Sequence, residues 1–494
     1  MASAFGRSLV IVGVFAACSA DPAPVAPPAP ETPDAGPVGV EDASPPVPPP
    51  PDAAPPGFDD PSARSGTRLR VRYLEGGPDA YRTTDLWDKE LAASCRFQRA
   101  ADGELRCLPL QVVAVYYADA TCTAEPFMLP VQENVCGDAF GKTPNRETIF
   151  RRTTSPKELV GEIVYYPDGA GGCTATFGAT AGATVAEALP STTFVRGAAA
   201  DEPRADGMVA RYVEGEDGSR YLQATRDVTR GTDCDLAFEP GRCVPSDRAP
   251  VGLFSNAGCT MPVGRHRSPS PPAIIIEHRN MANGCLAGVD YYEVGAKLAA
   301  DATLYGRDAT GTCTPRTRDA AYSYYARGAP ISLSSFPEVT LRLEGTGRLR
   351  ARRHADADGK PLAQAHAFWD AERDRECRVG RFDDGAYRCF PVDSGLYDDG
   401  YFSDVACSSG ALASYHCRAE PGPHIVRSDG SRACVGDVYR YGRVYERGPA
   451  AAQVYFTNPY VPCEARPAPP SMQYFNIGAS VASSVFPAVE LKTE

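Results

Sequence analysis

Histidine and tryptophan are scarce in this 494-residue chain, with six of the first and two of the second. The histidines are His266, His278, His354, His366, His416 and His424, all in the later half, and no two recur at equivalent repeat positions. His-Glu-x-x-His, Gly-x-Ser-x-Gly and the phosphate loop are absent, which removes the sequence signatures of zincin, nucleophile-elbow and P-loop chemistry. Cys-x-x-Cys is absent too, and only His416 stands beside a cysteine, Cys417. The cysteines therefore read as disulfides rather than metal ligands, and neither a metal nor a cofactor is expected. Lysine is confined to Lys89, Lys142, Lys157, Lys297, Lys360 and Lys492 in a chain of net charge -12. No basic cluster with interleaved aromatics occurs, which argues against nucleic acid as a partner. No apolar run approaches the roughly 20 residues that span a bilayer. Helical periodicity is nearly missing as well, with residues 83–93 and 184–189 alone reading as short helices.

What is present is a motif written three times. Asp88, Asp227 and Asp370 are each followed seven residues later by Cys95, Cys234 or Cys377. A second Cys then arrives inside Arg-Cys-x-Pro, at Arg106-Cys107, Arg242-Cys243 and Arg388-Cys389. Such self-similarity means one unit built three times, over residues 64–202, 203–340 and 341–494. Each copy opens on an alternating segment, RLRVRY from 68, MVARY from 208 or RLRARR from 348, and period-two alternation is the strand signature. Gly103, Gly241 and Gly385 supply turns between the two cysteines, so the expected bridges are Cys95–Cys107, Cys234–Cys243 and Cys377–Cys389. An Asx then precedes a third Cys by three residues: Asp119 before Cys122, Asn256 before Cys259, Asp404 before Cys407. It fits a turn in which the side chain accepts from the backbone two residues on.

The back halves carry an aromatic-x-x-Gly-Ala element at Phe194, Tyr292, Tyr325 and Phe475, with a weaker copy at Tyr439. Its spacing suggests a smaller unit nested in the larger. Cys285–Cys313, Cys434–Cys463, Cys407–Cys417 and Cys122–Cys136 are the remaining pairings expected, leaving Cys173 and Cys259 over. Asp356 and Asp358 hint at calcium, but a hairpin turn explains them better. The recurring Asp88, Asp227, Asp370 and Arg106, Arg242, Arg388 read as structural pairs or caps. Trp87 and Trp369 share one repeat position, where copy two has Arg226; exposed, they would stack on a sugar, and buried, they fill a core.

The amino terminus reads as an export signal over residues 1–18. Arg7 precedes the short apolar run SLVIVGVFAA, which ends in Ala16-Ala17-Cys18. That end resembles a bacterial lipobox, which implies lipidation at Cys18 and, with Ser19 next, the outer membrane. Residues 19–63 are rich in Pro and Ala and too poor in aromatics to order. At about 3.1 Å per residue they form a tether of up to roughly 130 Å, suited to lifting a folded part off a membrane.

Short strands with Gly, Pro and Asp punctuation predict an all-β protein. Nested repeats favour a β-propeller-like body, the alternative being three separate disulfide-bonded β-sandwich or barrel domains. Residues 64–494 resemble repeat lipoproteins of myxobacteria that join a Pro/Ala-rich tether to Asp…Cys…Arg-Cys-x-Pro and Tyr-x-x-Gly repeats. The resemblance implies architecture and location, and no activity. The expected function is a surface-displayed outer-membrane lipoprotein, held to the membrane by its anchor and binding a carbohydrate or protein ligand. A glycan hydrolase on a propeller, or a purely structural envelope protein, are the alternatives.

Overall fold

Alternation decides the local structure from the first strand onward. In Leu69–Glu75, Leu69, Val71 and Leu74 are fully buried, and the chain turns back into Tyr81–Asp88 in antiparallel register, Leu69 opposite Asp88. The structure, a computed structural model, describes residues 60–494 except 130–138, 143–147, 158–162, 168–171, 178–182, 237–240, 269, 281–285, 309–310, 392–400, 409, 416–421, 433–437, 452, 459–460 and 467–471. The described residues are all-β with a few short 3-10 turns. The stretches 83–93 and 184–189, expected as helices, are strand and turn instead. Ala, Glu and Leu in the second favour a helix locally, but the ladder of Thr184–Ala188 with Ile149–Pro156 overrides that preference. No helix among the described residues is long and apolar enough to cross a membrane.

Each copy of the motif folds into the same run of antiparallel strands. Tyr81–Asp88 pairs with Ala93–Arg99, which pairs with Leu105–Pro109 across a turn at Gly103 with φ 81°. Arg220–Asp227, Thr232–Asp235 and Val244–Pro245 repeat this, as do Ala367–Asp370, Arg375–Arg381 and Tyr387–Pro391. Cys95–Cys107, Cys234–Cys243 and Cys377–Cys389 are bridged at Cα–Cα 5.2, 5.0 and 5.4 Å. In the first and third they lie diagonally rather than face to face, with Pro109 opposite Cys95 and Pro391 opposite Cys377.

Hydrogen bonding carries on from one copy to the next. Arg196–Pro203 leaves the first back half, touches Arg106 and Leu105, and pairs along Met208–Gly215. Thr340–Glu344 likewise pairs with Leu349–Ala355, just after the bridge between Arg242 and Glu338. Ala488–Thr493 touches Tyr387 and Arg388 and then pairs with the first strand, Glu75 opposite Glu490. The last strand therefore does for the first copy what the two crossing strands do for the others, and it covers an edge that would otherwise stand open.

The back halves are small β-structures. Arg248–Phe254, Pro262–His266, Ser323–Ile331, Leu286–Lys297 and Ile274–Asn280 pair in that order, and the last returns in parallel to the first, closing a five-stranded barrel. Tyr292 and Tyr325 start aromatic-Gly elements on its two neighbouring strands, so the nested unit of the sequence is a pair of facing strands. Gly is needed because the backbones nearly touch: a Cβ on Gly295 would lie 2.7 Å from the Ala326 carbonyl oxygen, and one on Gly328 2.8 Å from that of Glu293. Gly448 and Gly478 meet the same restriction, so Tyr445 to Gly448, rather than Tyr439 to Gly442, is the counterpart in the third copy.

A hairpin inserted before the last strand of each back half corrects the expected long-range bridges. Cys122 pairs with Cys173, Cys259 with Cys313 and Cys407 with Cys463. The pairings Cys122–Cys136, Cys285–Cys313, Cys407–Cys417 and Cys434–Cys463 are thereby overturned, and Cys173 and Cys259 are bonded rather than left over. The third Cys of each copy sits at positive φ, 54°, 48° and 49°, in the turn that the preceding Asx builds. Asp119 accepts from the Thr121 N–H and Asp404 from the Ala406 N–H, while Asn256 accepts from Thr260 and Met261. The bridge ties that turn to the hairpin, for example Ile163–Pro167 with Cys173–Phe177. Cys18, Cys136, Cys285, Cys417 and Cys434 lie outside the described residues, as does the export signal.

Candidate functional site: a cavity lined by all three copies

The chain enters the fold through buried polar contacts. Asp60, in the stretch expected to close the tether, accepts from the Ser62 hydroxyl at 2.6 Å and the Thr83 hydroxyl at 2.8 Å, and it pairs with Arg353 at 3.1 Å. Ala63 and Arg64 then pair with Tyr221 and Arg220. Gln364 continues the network: its amide donates to the carbonyls of Ser62 at 2.9 Å and Leu222 at 3.3 Å. The Thr225 hydroxyl donates to the Leu362 carbonyl. Residues of the first, second and third copies are thus bonded to one another around the entering segment.

Beside this network lies a cavity of about 560 Å³, within the range of small-molecule sites. Copy one lends Arg82, Thr83, Thr84 and Arg96, and copy two lends residues 221–225 with Asp235 and Ser246. Copy three lends His354 and residues 362–366. The third contribution depends on a longer connection. Asp356 accepts from the Lys360 N–H at 2.8 Å, Gly359 takes φ 82°, and the returning chain lays residues 362–366 beside the cavity. Asp356 thus serves a turn.

His354 and His366 stack across that connection, ring centroids 4.7 Å apart and planes 12° from parallel. Burial, with Arg352 nearby, pushes His354 down to about 4, against a smaller opposing pull from Asp235. Burial, helped by His354, Arg352 and Arg82, pushes His366 down to about 3. Both rings are neutral near pH 7. Asp235 is the one carboxylate among the described lining residues, and Arg248 holds it at 2.9 Å.

The recurring charged residues lie elsewhere and hold turns. Asp88, Asp227 and Asp370 have no exposed surface. Each caps its turn by accepting from an N–H two or three residues on. Their partners are Arg68, Arg230, and Arg348 with Arg373, not the Arg of Arg-Cys-x-Pro. One Arg of each set also reaches a carbonyl of the following 3-10 turn: Arg68 to Thr193, Arg230 to Ser335, Arg373 to Val485. Arg106, Arg242 and Arg388 instead donate to the carbonyls of Phe194, Phe336 and Phe486. Trp87 and Trp369 are half-buried and do not line the cavity. Arg72 lies 4.8 Å over the first and Arg352 5.5 Å over the second, a cation–π pairing already occupied from within the chain. Asp60, Arg353, His354, Gln364 and His366 escaped sequence reasoning. For Gln364 and His366 the only signal was the longer connection before Trp369.

A family model described as a family of unknown function, DUF7481, matches residues 57–475. The chain belongs to that family. No curated protein and no solved structure matches it. The DUF7481 match begins just ahead of Asp60, so it takes in the buried entry and the whole cavity lining.

Lowered histidine values make the stability of this DUF7481 chain depend on pH. An unfolded His titrates near about 6.5, so the unfolded state takes up protons first as pH falls. The stabilisation is complete above that value and is lost as pH drops through it toward the folded values. The charged groups facing the two rings are Arg352, Arg82 and Asp235. Urea unfolding across that window should lose on the order of 1–2 kcal/mol of stability per buried ring. A His354→Gln/His366→Gln double variant should lose that slope; an unchanged slope would contradict the assignment.

Proposed function

We propose that this protein is a ligand-binding module displayed at the cell surface, anchored in the outer membrane through lipid on Cys18 and carried on its Pro/Ala-rich tether. Its three repeats form a propeller-like ring, joined by strands passed from each repeat to the next, and the cavity they share receives the ligand. The observation that carries the reading is the cavity of about 560 Å³ with lining residues from all three copies. A glycosidase would need two carboxylates about 5–9 Å apart, whereas Asp235 is alone among the described lining residues and is bound to Arg248. That favours binding over hydrolysis.

The test is a thermal-shift screen of carbohydrates, small metabolites and envelope fragments on the full chain and on Gln223→Trp. Position 223 is exposed and lines the cavity, so the larger ring obstructs it at the cost of one hydrogen bond, from the Gln223 amide to the Phe97 carbonyl at 3.1 Å. A ligand that shifts the parent and not the variant supports the reading, and one that shifts both equally binds elsewhere. Anchoring is tested apart: labelling by a palmitate analogue should vanish in Cys18→Ser, and retained labelling would remove the anchor.

A further inference from the structure

We infer that the ligand of the shared cavity carries an anionic group, a carboxylate or a phosphate, seated against Arg96; this rests on the cavity being the binding site. The chain as a whole carries net charge -12, yet the lining has the opposite bias. Arg82 and Arg96 both face the cavity, and the single carboxylate there is neutralised by Arg248. Arg96 is the telling group. Most arginines on these strands are spent within the fold, on Asp85, Asp88, Asp370 or Glu376. Arg96 is exposed and lines the cavity, and its guanidinium has neither an ion pair nor a hydrogen bond among the described residues.

The equivalent positions sharpen the contrast. The residue after the first Cys of the motif is Arg96 in copy one, Asp235 in copy two and Arg378 in copy three. Arg96 and Asp235 face the cavity and Arg378 does not. With Asp235 tied to Arg248, Arg96 is left to present a planar fork of donors to whatever enters, the geometry that carboxylate and phosphate match.

Three probes on one hexose frame test the charge: glucose, glucuronate and glucose 6-phosphate, titrated calorimetrically at millimolar concentration into the full chain at low ionic strength. Glucuronate or glucose 6-phosphate should bind at least about tenfold more tightly than glucose, the equivalent of one charge-assisted hydrogen bond, and should weaken as salt is raised. Whichever of the two is preferred identifies the anionic group. Arg96→Ala should cost about tenfold and Arg96→Glu should abolish binding, while Arg378→Ala, the matched position outside the cavity, should change nothing. Glucose binding as tightly as the acids, with Gln223→Trp blocking all three, would overturn the anionic assignment and leave the cavity a binding site. No binding by either charged probe, or binding indifferent to Arg96→Glu, would overturn it as well.

Discussion

Asp370→Ala is expected to lower the free energy of unfolding by about 3–5 kcal/mol, the usual consequence of removing one partner from a buried ion pair. The carboxylate has no exposed surface and holds four donors at once. Arg348 approaches through Nε at 3.0 Å and Nη2 at 2.9 Å, Arg373 through Nη1 at 2.8 Å, and the Glu372 N–H at 3.1 Å. Those donors hold Asp370 below the usual carboxylate range against the desolvation that opposes them. The turn it caps also contains Asp374 at φ 51°, a conformation that costs about 1 kcal/mol or more without a cap to impose it. Arg373 reaches on to the Val485 carbonyl at 3.0 Å, so the loss spreads to the turn that delivers the last strand. Both guanidinium groups are partly exposed and can rehydrate, which puts the expected loss at the lower end of the range. Asp370→Asn, which keeps one acceptor, should cost roughly half as much. Urea unfolding with the disulfides intact measures this, and a loss below about 1 kcal/mol for the alanine variant would show that the clamp is ornamental.

Truncation after Pro487 should do more. The missing strand, Ala488–Thr493, carries Val489 and Leu491 into a core shared with Leu74, Leu349 and Phe368, and each such side chain contributes about 1.5–3 kcal/mol by burial. It also supplies the ladder from Arg72 to Glu75 and the contact with Tyr387 and Arg388, at about 0.5–1.5 kcal/mol per hydrogen bond. The sum, on the order of 5–10 kcal/mol, rivals the whole stability of an ordinary domain. Two strand edges would open at once, and open edges pair with other chains. The truncated protein should elute as aggregate and lose its cooperative melt. A monomer melting near the parent temperature would refute the structural role given to this strand.

How far the sequence could be read depended on distance along the chain. The hairpin bridges Cys95–Cys107, Cys234–Cys243 and Cys377–Cys389 were legible because a single turn brings both partners together. Cys122 and Cys407 were mispaired, and Cys259 was left over, because their partners stand 51, 56 and 54 residues on, on a hairpin inserted between strands of the back half. Neighbour-based pairing could not reach that far. The Asx turns at Asp119 and Asp404 were legible, being local, and so was the structural role of the recurring aspartates. Their partners were not, because Arg68 and Arg348 come from the strand before and the sequence pairs them with nothing. Gly295 and Gly328 announced themselves as a repeated word, but only the crossing of two backbones explains why no side chain fits. The cavity was the least legible part. Gln364 and His366 lie in a connection that the other copies shorten, and a residue present in one copy only carries no repeat signal.

Closure is tested most directly by joining the two ends of the chain. Tyr73 and Lys492 are register partners across the ladder of the first and last strands, at a spacing compatible with a disulfide. In the variant Tyr73→Cys/Lys492→Cys, oxidised in dilute solution and mapped without reduction, the two new cysteines should be found linked within one chain. The melting temperature should rise, since the bridge spans nearly the whole folded sequence. Free thiols at both positions, or links only between chains, would mean that the first and last strands do not meet and that the three copies do not close on one another.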